Sequence, residues 1–280
     1  MNPPPKVARP IYRSPLRQWL GREYFIFKRR CQWWFGGRHW AKPRSTPETP
    51  VAVFRHHSPI LRPLQGVDMQ LQENKRTNLA LAVARLNNTV IAPQETFSVW
   101  KLVGRPTRRK GYLNGLVLVN GQIGSGTGGG LCQLGNLLFW LFAHSPLEIT
   151  ERYRHSFDVF PGVARTVPFG AGATLAYNYI DLQVGNPTPH HFRIRLWLDD
   201  TDLHGELCCS SELAESYRVE ERDHRIVQQS WGGYTRHNRI IRVTARANGS
   251  EEETILAVNH AVMMYAPLLP QDGSNDTSAV

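Results

Sequence analysis

The sequence predicts an α+β fold: a helical N-terminal part, one buried central helix after a glycine-rich loop, and a mostly antiparallel β-sheet in the C-terminal half. Three observations carry this. Two segments before residue 90 repeat apolar residues at helical spacing. Residues 131–143 are apolar nearly all round, and beyond Pro146 the pattern alternates at period two. With 280 residues, of which 41% are hydrophobic, the chain can bury a substantial core. Its organisation reads as a basic, aromatic-rich N-terminal segment and linker (1–50), a main domain (51–268) and a disordered tail (269–280).

The opening "MNPPPKVARPIYRSP" is a proline-rich leader with no regular structure expected. Next, Leu16, Trp19, Leu20, Tyr24, Phe27, Cys31, Trp34 and Phe35 recur near helical spacing, with Arg17, Arg22, Arg29 and Arg30 among them. Two readings stand for this helix. Residues 16–40 lie peripherally on an anionic membrane, or the helix docks on the protein's own core. No uncharged apolar run of membrane-spanning length occurs, and no signal-peptide pattern follows Met1, so the expected location is cytoplasmic, with peripheral contact at the inner membrane face.

"AKPRSTPETP" (41–50) reads as a linker. A helix is expected from about residue 69, with Leu71, Leu79, Val83 and Leu86 on one side and Asn87-Asn88 ending it. "VIAPQETFSVW" reads as extended, with a turn at Pro93. Residues 112–125 read as a hairpin around Asn120-Gly121, a dipeptide suited to a type I′ turn. Strands are expected in "ATLAYNYIDLQVGN", "HFRIRLWLDD" and "YRVEERDHRIV", and near 235–246 and 252–264 around the turn "ARANGSEE".

Composition narrows the chemistry. The net charge is +10, but residues 1–50 hold eleven Lys or Arg against Glu23 and Glu48, so nearly all of it sits there. Basic residues in a leader, with no recognition motif, do not predict specific nucleic-acid binding. Four cysteines (Cys31, Cys132, Cys208, Cys209) form no disulfide framework, and His56–His57 and His190–His191 lack companions at metal-ligand spacing. No metal or cofactor is expected.

The stretch "NGQIGSGTGGGLCQLGNLLFW" carries the strongest chemical signal. Glycines before a helix let backbone N–H groups converge on one point. Cys132 falls in the first helical turn, where the helix dipole favours thiolate. A thiol nucleophile also needs a base. His155, on the expected strand after this helix, is the better candidate. His144 sits at the far end, roughly 18 Å away. The bland alternative is a small buried cysteine. A phosphate loop is disfavoured, because "GSGTGGGLCQ" lacks the Lys-Ser/Thr pair.

"QENKRTNLALAVARLNN", "APQETFSVWKLVG", "GYLNGLVLVNGQI", "GGGLCQLGNLLFWLFAHSPLEITERYRHSFDVFP" and "GATLAYNYIDLQVGN" occur in that order. From about residue 66 to 205 the chain resembles the VanW family, known from B-type vancomycin-resistance clusters. The resemblance implies an accessory role in cell-envelope or glycopeptide-resistance physiology. Some larger, exported members are linked to peptidoglycan cross-linking as cysteine-dependent L,D-transpeptidases. It therefore implies a cysteine acyl transfer on peptidoglycan or its precursor, with Cys132 as nucleophile and His155 as base. The alternative is a non-catalytic module that binds the same material. The Gly128-Gly129-Gly130-Leu131-Cys132-Gln133 motif and the Arg152, His155, Ser156 motif supply the implied substrate contacts, with Glu95, Tyr179 and Asp181 in second rank. Two positions depart from the pattern: Gln94 stands where Gly is frequent, and Gly135 where Ser or Thr is frequent.

Overall fold

A computed structural model describes residues 14–44, 48–61, 68–119, 121–159 and 167–267. The predicted leader up to residue 13, the tail from 268 and Asn120 of the predicted turn lie outside the described residues. The chain runs α1 (Pro15–Phe35), β1 (His39–Trp40), β2 (Lys42–Pro43), β3 (Val51–Pro59), α2 (Met69–Leu86), β4 (Thr89–Ile91), β5 (Glu95–Ser98) and α3 (Val99–Val103). A 3₁₀ turn (Arg108–Lys110) leads to β6 (Asn114–Val119), β7 (Gln122–Thr127), α4 (Cys132–Ala143), β8 (Glu148–Glu151), β9 (Phe157–Asp158) and β10 (Gln183–Gly185). The chain then continues through β11 (Phe192–Leu198), β12 (Asp202–Cys209), β13 (Glu215–Gln228), β14 (Tyr234–Arg246) and β15 (Glu251–Met263).

Local chemistry sets the boundaries. Ser14 caps α1 by accepting from the Arg17 amide, and Pro15 occupies the first helical turn, where its missing N–H is harmless. Asp68 caps α2 by accepting from the Gln70 amide at 2.9 Å. Asn88, at φ 61°, turns the chain out of that helix, as the Asn pair predicts. The β6–β7 hairpin has the two-residue connection expected, with Val119 opposite Gln122 and Gly121 at φ 78°.

The strands form sheets in the orders β1-β5-β10-β8, β2-β4-β11-β12-β3 and β13-β14-β15-β9, plus the β6–β7 hairpin. All pairings are antiparallel except β1 with β5 and β9 with β15. The fold is α+β, as predicted. β3 was not anticipated, because its "VAVFRHHSP" interrupts the alternation with paired histidines. The segment read as a linker pairs instead: β2 joins β4, and Arg193 donates to Thr49 Oγ1 at 3.0 Å. "ATLAYNYIDLQVGN" is mostly turn rather than strand. The Ala176 and Ile180 backbones close on each other, leaving only β10 extended.

α4 is the centre. Leu134, Leu137, Leu138, Phe139, Leu141 and Phe142 are all essentially inaccessible to solvent. The helix touches β3 and β12 of one sheet, β8 of a second and β13 of a third. Phe142 meets Phe97 of β5 edge-on at 5.3 Å. Close approach to β12 depends on Gly205, where an added Cβ would lie 2.8 Å from Leu141 Cδ1 and 3.0 Å from Leu137 Cδ2. Among the described residues, no helix is long and apolar enough to cross a membrane.

Gly205→Ala is expected to lower stability by about 1–3 kcal/mol in urea unfolding, because the fully buried Leu141 and Leu137 side chains must shift in a closely packed core. Gly21→Ala provides the contrast. It lies inside α1 with nothing within 4 Å of the new methyl, so helix propensity predicts no loss and up to about 1 kcal/mol of gain.

Candidate active site at the glycine loop

The loop before α4 is held by an asparagine on α2. Asn78 Nδ2 donates to Leu113 O at 3.0 Å and to Gly129 O at 2.9 Å, while its Oδ1 accepts from the Leu113 amide at 2.8 Å. The glycines answer to close packing by the chain itself. A Cβ at Gly129 would overlap the Gly115 carbonyl of β6, and one at Gly130 would overlap the Lys75 side chain. Gly128 and Gly130 also have positive φ, at 77° and 91°. The Gly128 amide donates to Leu113 O and the Gly129 amide to Gly126 O, so neither is free to receive an oxyanion. The loop delivers Cys132 as the first residue of α4.

Cys132 and His155 meet. Sγ lies 3.9 Å from His155 Nε2, accepts from the Leu175 amide at 3.5 Å, and lies 3.8 Å from Leu175 O. His155 sits in the coil between β8 and β9 rather than on a strand. Burial pushes the thiol pKa up, against the pull of the Leu175 amide. Burial also pushes the imidazole down, and the nearby Arg154 charge adds to this. The expected helix-dipole effect is outweighed by desolvation, and the resting pair is thiol beside neutral imidazole. His144, at the other end of α4, stacks on Phe54 at 3.7 Å and contacts Trp140 O.

The other candidate side chains have internal partners. Arg152 Nε donates to Gly172 O at 2.7 Å, and its Nη2 reaches Gly170 O and Asn259 Oδ1. The guanidinium lies over the Phe139 ring, and burial lowers its pKa to about 10, leaving it charged at neutral pH. It thus holds the segment that carries Leu175. Asn136 Oδ1 accepts from the Ala173 amide at 3.0 Å in the same segment. Gly135 lets this segment lie on α4, since a Cβ there would be 2.7 Å from Ala173 O. Gln133 Nε2 donates to Ser58 O, Ser58 Oγ and Pro59 O, pinning the start of α4 to the end of β3. Ser156 is exposed, and its carbonyl accepts from Val262.

Glu95 and Asp181 are not brought to the cysteine by any contact. Glu95 pairs with Arg44 and accepts from the Ala92 amide. Asp181 is fully buried and accepts from Ser98 Oγ (2.5 Å), the Trp100 amide (3.2 Å), the Leu182 amide (2.9 Å) and Gln183 Nε2 (3.3 Å). Burial raises its pKa to about 6 despite those donors. Tyr179 is half-exposed and packs on Phe25 of α1 at 4.9 Å. Sequence reasoning missed Asn78, Lys75 and Asn136. For Lys75 and Asn78 the signal was polar residues on the helix face that otherwise buries Leu79, Val83 and Leu86; the exposed Asn136 gave none. A cavity of ≈ 270 Å³ lies elsewhere, under the end of α1, lined by Arg29, Trp33, Arg38, Trp40, Glu151 and Gln183. Among the described residues, no cluster of three His, Cys, Asp or Glu could hold a metal ion.

Fold and site together define a class: an α+β domain with a cysteine–imidazole pair at the glycine-loop end of a buried helix. A family model described as VanW like protein matches residues 74–208, a range that holds Asn78, the loop, Cys132, His155 and Leu175. The chain is 37% identical over 187 residues to the vancomycin B-type resistance protein VanW of Enterococcus faecalis (strain ATCC 700802 / V583), covering 67% of this chain and 66% of that protein. It is 34% identical over 114 residues to the uncharacterized protein YoaR of Bacillus subtilis (strain 168), covering 41% of this chain and 36% of that one. The chain belongs to the VanW family. The matched region spans just under two thirds of the first relative's length and about a third of the second's. No solved structure matches significantly.

Asn78→Ala removes three hydrogen bonds and strands the Gly129 carbonyl and the Leu113 amide, while Leu113 O keeps the Gly128 amide. Urea unfolding should show a loss of about 2–4 kcal/mol, and peptide mapping should show faster iodoacetamide labelling of Cys132. Asp181→Asn places an amide N–H₂ among donors. It should cost a similar amount while leaving the native labelling rate of Cys132 unchanged.

Proposed function

We propose that this protein is an accessory factor of cell-envelope or glycopeptide-resistance physiology, and that Cys132 and His155 transfer an acyl group of a peptidoglycan peptide or its precursor. The observation carrying this is Cys132 Sγ beside His155 Nε2 at 3.9 Å, at the first turn of α4, with the Leu175 amide on the sulfur. Family membership and the resistance named for the E. faecalis relative support the physiological setting.

In the proposed reaction, His155 Nε2 takes the thiol proton as Sγ attacks a peptide carbonyl carbon. Because thiol and imidazole rest neutral, proton transfer and attack occur together, without a stored thiolate. The Gly128, Gly129, Gln133 and Gly135 amides already donate to backbone carbonyls, so in this reading the developing oxyanion falls to the remaining amides of the first turn of α4. Collapse breaks the peptide C–N bond, and His155 returns the proton to the leaving amine. The resulting thioester is then attacked by an acceptor amine, whose proton passes to His155, and the Cys132 thiol is regenerated. Arg152 acts by positioning: it holds the 170–173 backbone that leads to Leu175.

A second reading, recognition of a wall precursor without turnover, is favoured by the burial that raises the thiol pKa and by the long sulfur–nitrogen distance. One set of measurements separates the two. Alkylation of Cys132 against pH should give an apparent pKa above the ordinary thiol value of about 8.5. Incubation with a disaccharide-peptide wall fragment should give a hydroxylamine-sensitive adduct on Cys132 by mass spectrometry. Cys132→Ser should abolish the adduct, and His155→Ala should slow its formation by about 10²–10⁴-fold. Saturable binding without an adduct selects the recognition reading. Neither binding nor adduct would sink both.

A further inference from the structure

We propose that α1 docks the protein in the plane of an anionic lipid bilayer, through the side of the helix that faces away from the domain. This goes beyond the acyl-transfer reading and holds whether or not Cys132 turns over.

One side of α1 is anchored. Ile26 is buried, and Trp33 packs against the core while its carbonyl accepts from Trp40 Nε1 at 3.1 Å. Glu23 pairs with Arg105 at 3.1 Å, and Arg29 meets Glu151 through two bonds of 2.5 and 2.6 Å. The opposite side is apolar. Leu16, Leu20, Tyr24, Phe27, Cys31 and Trp34 follow at steps of four or three, the helical repeat, and Phe35 extends the row. Apart from Cys31, every one of these side chains is more than half exposed, and Phe35 is 81% exposed. At 1.5 Å per residue the stripe is about 28 Å long, enough to lie along a bilayer surface. Aromatic rings with polar edges, as in Trp34 and Tyr24, suit the headgroup boundary.

Charge selects the occupant. The only acid on α1 is Glu23, already paired, whereas Arg17, Arg22, Lys28 and Arg30 share the helix. Arg17 and Lys28 are exposed and fall beside the apolar stripe at 100° per residue. A second copy packed on this side would set these cations against their own images with no acid to meet them. Lipid phosphates satisfy them, and the acyl boundary takes the apolar stripe.

The test is co-sedimentation of the full-length protein with vesicles of phosphatidylcholine, with or without phosphatidylglycerol. We expect binding to the phosphatidylglycerol vesicles that weakens with salt. The Phe27→Glu/Trp34→Glu pair and the Arg17→Glu/Lys28→Glu pair should each reduce it at least about tenfold. The circular-dichroism melt should stay unchanged in both, since all four side chains are exposed. Equal binding to both vesicle types, no binding, or binding that both pairs leave intact would overturn the proposal. So would a concentration-dependent dimer in sedimentation equilibrium that Phe27→Glu abolishes, which would assign this side to a second copy.

Discussion

A helix that is apolar nearly all round is stable in water only if other elements cover nearly all of it, and α4 imposes that condition on this domain. Three sheets meet it, and the constraint reaches single residues. Gly205 is glycine so that β12 can approach the helix, and Gly135 so that the 173–175 segment can lie against it. Arg242 is buried at the far end, where its guanidinium donates to Leu147 O at 2.9 Å and to Ser145 O just after the helix. At the near end, covering the helix brings Leu175 and His155 to Cys132. The site is thus a product of how the core is closed.

Its electrostatics follow from the same closure. A thiol at a helix N-terminus gains from the dipole, but the burial that stabilises α4 also strips solvent from the sulfur, and desolvation wins. The same burial keeps His155 neutral. A protonated thiol beside a neutral imidazole is a weaker nucleophile than a thiolate. α1 shows the opposite arrangement. It is fastened along one line by Ile26, Trp33 and two ion pairs, and its large apolar side chains remain in solvent. The chain therefore combines a core that covers most of one helix with a terminus that covers another only on one side.

Much of this was legible residue by residue. The helices at 69–86 and 132–143 show in the 3.6-residue repeat and in the all-apolar run, and the long C-terminal strands in their alternation. The Cys132–His155 pairing was readable from residue chemistry and family resemblance together. β3 and the 173–182 segment were not readable, because their backbones are directed by partners distant in sequence. β3 is extended because β12 pairs with it, and the "AYNY" turn, closed between Ala176 and Ile180, is held by Trp100, whose Nε1 donates to Ile180 O and whose ring meets Tyr177.

By itself, the sequence determined that 69–86 and 132–143 must be helix and that the long C-terminal segments must be strand, which helix must be buried, and which cysteine stands at a loop–helix junction. Those properties depend on local periodicity and on backbone preferences within a few residues. Only the tertiary structure decided what the polar residues do. Gln133, Arg152, Glu95 and Asp181 carry chemistry that suits either substrate or scaffold, and in the structure each hydrogen-bonds within the protein. It also showed the glycines in close packing with the chain itself, and a burial that raises the Cys132 thiol pKa. Side-chain partners and desolvation arise from residues tens to hundreds of positions apart, and local sequence carries no record of them.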